Sequence, residues 1–169
     1  MPHIDDILTA HWTENGETPG PVCSDLAFLR RVTLDLAGTV PSLDEIRAFE
    51  ANPDRAAKVA ELLDSKHFPR FWSEVWTAML NGYAPFETDR NALKRWLEAQ
   101  FRVNRPYDQL VTQLITSTGP SVEDGSVNFL ARYRDDAAVR VSRLFLGVRL
   151  DCARCHDHPF DRWKQADFT

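Results

Sequence analysis

Cys152, Cys155, His156 and His158 stand together in the stretch CARCHDHPFDRW, in a chain of 169 residues with only three cysteines and five histidines. Thiolate and imidazole are common metal ligands, so this cluster can serve haem attachment, zinc binding or thiol redox chemistry. Cys152-Ala153-Arg154-Cys155-His156 is C-x-x-C-H, the attachment pattern of c-type haem. The spacing has a mechanical reason. On one helical turn, positions i, i+3 and i+4 share a face, so two sulfurs can reach the vinyl groups of one porphyrin while the next imidazole approaches its iron. Small Ala153 and long, outward-going Arg154 fit between the cysteines.

Zinc is the first rival. Only Cys23 is available to join Cys152, Cys155 and His158 in a Cys₃His set, and His156 with His158 are too close in sequence for the usual histidine knuckle. A thioredoxin-like centre is the second, but it belongs at the start of a helix in a βαβ pattern that this chain lacks. A simple disulfide or inert thiols complete the alternatives. Pro159 biases His158 away from helical geometry, so His158 is expected to point elsewhere than His156. Its functional reading orients His156 or bonds a haem propionate, and its bland one is a turn residue. Asp157 and Asp161 are expected to serve as turn and capping residues. For a sixth haem ligand, Met79, His67 and His11 are the candidates. Met79 lies in an apolar stripe that predicts a core role, His67 reads as a helix-boundary residue, and His3 and His11 sit near an end expected to fray.

Composition restricts what surrounds the cluster. With 43% hydrophobic and 27% charged residues the sequence is that of an ordinary globular protein, long enough for one core. A formal net charge of -5 argues against nucleic acid as a partner. No apolar run reaches the roughly 20 residues of a membrane span, so no membrane insertion by this chain is expected. The start has no export signal, and the chain reads as a piece of a longer protein. There is no G-x-S-x-G, Walker A or H-E-x-x-H, and Asp135, Asp136, Glu123 and Asp124 read as helix starts and solvated loop charges, which leaves a hydrolase with the least support.

The elements that must position the cluster are helical by period. Ser24 caps a helix through Leu26, Leu29, Val32 and Leu36, with Gly38 at its end. Ser42 and Glu45 form a capping box ahead of Ile46 and Phe49, and Pro53 closes that helix. A short helix carries Val59, Leu62 and Leu63. Trp72, Val75, Trp76, Met79 and Leu80 are expected to make one of the deepest faces. Asp89 starts a helix with Leu93, Trp96, Leu97 and Phe101 inward, and NRPYDQ breaks it before Leu110, Val111, Leu114 and Ile115. STGPSVEDGSVN reads as the longest loop. DDAAVRVSRLFLGVRLDC alternates like a strand in places, but Ala137, Val141, Leu144, Phe145 and Val148 favour a helix, capped by Asp135 or Asp136, that delivers Cys152 to the interior. The expectation is a single domain over residues 1–169, all-α, an irregular bundle of six to eight short helices.

Three stretches resemble the planctomycete-type cytochrome c-like domain, a domain of unknown function in exported bacterial proteins. They are CSDLAFLRRVTLDLAGTVPSLDEIRAF, NRPYDQLVTQLITSTG and LFLGVRLDCARCHDHPFDRWKQADFT, which together span nearly the whole chain. The resemblance implies thioether sites at Cys152 and Cys155 and a proximal ligand at His156. His158, Pro159, Phe160, Asp161 and Trp163 belong to the same signature without an assigned role. It further implies a periplasmic or otherwise exported setting in a bacterium, with neighbouring domains of the parent protein or a redox partner as partners. The resulting expectation is an electron-transfer module carrying haem c rather than an enzyme in its own right. The alternative is a zinc-binding or disulfide-stapled interaction domain without redox turnover.

Overall fold

A computed structural model describes residues 3–82, 90–133 and 135–168. Among them there is no strand, and ten α-helices are present, eight of them nine residues or longer. The architecture is an all-α irregular bundle, as the periodicity predicts. The expected start at Asp89 lies outside the described residues.

Local chemistry sets the first boundaries. Helix α1, Ile4–Glu14, which the sequence analysis does not predict, buries none of its residues. In α2, Asp25–Ala37, the Ser24 side chain accepts from the Ala27 N–H, and Gly38 closes the helix at φ 69°, in the left-handed region where a Cβ would also meet the Phe71 ring. Its inward residues are Leu29 and Thr33, whereas Leu26 is exposed. Helix α3, Leu43–Ala51, has the full capping box: Ser42 Oγ accepts from the Glu45 N–H, and Glu45 accepts from the Ser42 N–H at 2.8 Å. Helix α4 spans Arg55–Asp64 and starts at Asp54, whose carboxylate accepts from the Ala57 N–H. Phe28 of α2 stacks on Phe49 of α3, and Arg55 of α4 lies over the Phe28 ring while bonding Asp25.

The main core forms where α5, His67–Asn81, packs along α6, Arg90–Arg102, and both meet α7, Tyr107–Thr116, and α8, Asn128–Arg132. Leu80, Leu93, Leu97, Leu110, Leu114 and Phe129 are its buried centre, with Trp76, Trp96, Phe101 and Tyr133 packed around them. The inward face of α5 differs from the expected one. Ser73, Thr77, Leu80 and Asn81 are buried, whereas Met79 is 47% exposed and Trp72, Val75 and Trp76 flank the buried row. The hydroxyls can go inside because the helix itself satisfies them: Ser73 donates to the Arg70 carbonyl and Thr77 to that of Ser73.

The expected long loop after α7 is more ordered than its composition suggests. Gly125–Val127 form a 3₁₀ turn leading directly into α8, and Gly125, Ser126 and Asn128 are buried. Asp124 is half-buried rather than a solvated charge, accepting from both the Ser126 N–H and the Ser126 hydroxyl. A Cβ on Gly125 would come within 2.8 Å of Trp96 Cβ and collide with the Ala92 backbone, so the absence of a side chain permits this contact with α6.

Helix α9, Ala137–Phe145, packs Val141, Leu144 and Phe145 against the core. It stops short of the predicted end at Val148. Gly147, at φ 67°, reverses the chain, and the N–H groups of Leu146 and Val148 both reach the Ser142 carbonyl. Residues 148–150 then run without helix into a 3₁₀ turn at Cys152–Arg154, and the short α10, Gln165–Phe168, ends the described chain.

Candidate functional site

The cysteines stand on a single turn. The N–H groups of Cys155 and His156 both approach the Cys152 carbonyl at 3.3 Å, and residues at i and i+3 of a 3₁₀ turn eclipse one another. Cys152 and Cys155 therefore share a face, as the spacing requires, on a turn tighter than the α-helical one expected. All three cysteines are free thiols. The turn is anchored by Ala153, which is fully buried, while Cys152 is half-buried and Cys155 and His156 are exposed. The expectation that α9 carries Cys152 into the interior is thus corrected: Gly147 ends the helix early and the chain returns to the surface before the motif.

The two imidazoles are held in complementary states. His156 Nδ1 lies 2.7 Å from the Asp157 carbonyl oxygen, which can only accept, so Nδ1 carries the proton and a neutral ring keeps its lone pair on Nε2. His158 Nδ1 accepts from the Phe160 N–H at 3.3 Å. The His158 N–H donates to the Trp163 carbonyl at 2.8 Å, closing the loop through Pro159. His158 therefore supports its own loop, and the partner of His156 Nδ1 is a backbone carbonyl.

Asp157 accepts from the Gln165 N–H at 3.0 Å and from Lys164 Nζ at 3.2 Å. The backbone bond from Gln165, followed by Lys164, holds its carboxyl below the usual range. Asp161 accepts from the Arg162 N–H. Both aspartates are the turn and capping residues that the sequence predicts, and Asp157 does its work on α10.

Arg154 ties the turn to the rest of the protein. It pairs with Asp136 and lies over the Phe168 ring of α10 at 5.6 Å. Asp136 occupies the N-cap position of α9 as expected, but its side chain makes no cap bond and engages Arg154 instead. Between α9 and the turn lies a cavity of about 250 Å³, lined in part by Tyr133, Arg140, Arg143, Asp151 and Arg154. The sequence reading missed these arginines. Their signal was the i, i+3 spacing of Arg140 and Arg143, which puts both on one side of α9.

The other expected ligands do not gather here. Cys23 is half-buried beside the start of α2, and its carbonyl accepts from Arg55 Nη2 at 2.7 Å. Among the described residues, no group of three or more His, Cys, Asp and Glu could hold a metal ion. His67 opens α5, as its boundary reading predicts, roughly 18 Å along the helix from Met79 at 1.5 Å per residue. His11 lies on exposed α1 with its Nδ1 3.3 Å from Asn15 Nδ2. Met79 is the one whose core reading fails. Its carbonyl accepts from Arg140 Nη2 at 3.1 Å while its side chain is largely exposed.

Among known protein families, the model of PSCyt2, described as a protein of unknown function, matches residues 3–169. No curated protein and no solved structure matches the chain. No described helix is long and apolar enough to cross a membrane.

Proposed function

The chain belongs to the PSCyt2 family, and we propose from that premise that it is a c-type cytochrome-like module of an exported bacterial protein. Cys152 and Cys155 hold the haem by thioether bonds and His156 ligates its iron. The observation that carries this reading is the single turn on which two free thiols share a face next to an imidazole whose Nδ1–H is already engaged. A carbonyl on the far nitrogen is the arrangement that orients a ligating histidine and raises its basicity. Bound haem would supply one-electron Fe(III)/Fe(II) chemistry, and the module would pass electrons to a neighbouring domain or a partner protein. His158 shapes the loop that follows, through Phe160 and Trp163. Exposure of Cys155 and His156 suits a cofactor with one edge open to a partner.

The test is expression with an export signal and cytochrome-assembly factors, followed by haem peroxidase staining of a denaturing gel, since only thioether-attached haem survives denaturation. Staining is expected, and it should be lost in the Cys152→Ser, Cys155→Ser double variant. An unstained protein with stoichiometric zinc would instead establish the zinc-stapled interaction domain.

A further inference from the structure

We propose that the cavity between α9 and the cysteine turn is a docking site for the carboxylates of an acidic partner protein. This deepens the electron-transfer reading by giving the chemistry of the partner, and rests on that reading for the partner's redox role. Three guanidinium groups, from Arg140, Arg143 and Arg154, line a concavity of about 250 Å³ in company with two carboxylates, from Asp136 and Asp151. Two of the three cations are already engaged. Arg154 pairs with Asp136, and Arg140 donates to the Met79 and Leu80 carbonyls while lying 4.3 Å over the Tyr133 ring. Arg143 is exposed and, among the described residues, its side chain has neither an ion pair nor a hydrogen bond.

Charge is also unevenly distributed along the sequence. Residues 128–169 hold eight of the 20 Lys and Arg but only six of the 25 Asp and Glu, so the end that bears Cys152 to His156 is cationic although the chain as a whole is at -5. An exposed, uncommitted guanidinium beside the motif, with three arginines against two aspartates in the cavity, favours an acidic surface over a basic one. Guanidinium forks fit carboxylates in a bidentate geometry, and the small volume suits one or two acidic side chains. Nucleic acid is disfavoured, because its phosphate backbone needs a continuous cationic track and would meet the negative remainder of the protein.

The test uses the full chain titrated with hexaglutamate and followed by amide chemical shifts, with hexalysine as control. Saturable binding is expected at α9 and the cysteine turn, weakened by salt and several-fold weaker in Arg143→Glu. It should be unchanged in Arg47→Glu, a charge reversal at an exposed position of α3. Equal binding by both variants, or displacement by inorganic phosphate beyond that of chloride at equal ionic strength, would overturn the proposal. With haem attached, ferricyanide oxidises the ferrous protein, one electron passing from Fe(II) to give ferric haem and ferrocyanide. That rate is expected to fall with added salt in the unsubstituted protein and to rise with salt in Arg143→Glu; a rise in both would overturn the docking site. Failure to attach haem defeats the electron-transfer reading alone, and the hexaglutamate titration then decides the docking site by itself.

Discussion

Where α5, α6, α7 and α8 meet, Leu80, Leu93, Leu97, Leu114 and Phe129 are all but removed from solvent, whereas from Asp151 to Phe168 the only buried residue is Ala153. The first region is held by apolar area and close packing, worth roughly 25 cal/mol per Å² removed from water. The second is held by separate polar ties: Arg154 to Asp136, Asp157 to Gln165 and Lys164, and the His158 to Trp163 backbone bond. Segments of that second kind open locally at much lower free energy than the core. The packed core and the exposed thiol and imidazole are therefore in different parts of the chain. Substitutions can separate them.

The largest contrast is expected between Leu97→Ala and Cys155→Ser. Leu97 is fully buried, so its truncation should cost about 2–5 kcal/mol of unfolding free energy in urea. Cys155 is exposed, and its replacement should stay within about 0.5 kcal/mol in the haem-free chain. Equal losses would mean that the motif is part of the core after all. Ala153→Leu comes next, because it overfills the one buried position of the site at a local cost of about 1–3 kcal/mol. Hydrogen exchange should accelerate across residues 151–156 while the α6 amides stay protected, and uniform acceleration would deny the separation.

Legibility in the sequence follows the same division. Helix ends were legible wherever a single residue decides them, as at Ser24, Gly38 and Ser42 with Glu45; Asp136 stands at the N-cap position, but its side chain goes to Arg154. Faces were less so. On α5 the apolar pattern pointed to Met79, but Ser73 and Thr77 satisfy their hydroxyls on their own helix and occupy the interior instead. Helix α9 ended at Gly147 rather than continuing through Val148, because a glycine in the left-handed region outweighed the continuing apolar period. The motif itself was evident from residue types and spacing. Its exposure was not, since that depends on where α9 stops, and neither was the arginine-lined cavity, which needs residues from α9 and the turn to meet in space.

Two smaller effects sharpen the contrast from the well-ordered side. Ser42→Ala removes the cap of α3 and should lower stability by about 1 kcal/mol, read as a lower thermal midpoint with the site unaltered. Glu74 of α5 is held below the usual carboxylate range by hydrogen bonds from Lys94 first and then Arg90, both on α6. A lowered carboxyl stabilises fully above its unfolded value, and that contribution is lost as pH falls through the lowered one. The pair of ties is half-exposed, so the effect should be no more than about 1 kcal/mol. Glu74→Gln is therefore expected to be slightly less stable at neutral pH, with the two unfolding curves converging on acidification below the ordinary carboxylate range. Parallel curves would show that the clamp between α5 and α6 contributes nothing.

The intact mass of the protein recovered from a periplasm with working cytochrome-assembly factors bears most directly on the role assigned to Cys152, Cys155 and His156. One haem added covalently, absent when both cysteines are serine, is the predicted result. An unmodified mass from the same cells, with zinc bound in its place, would contradict it.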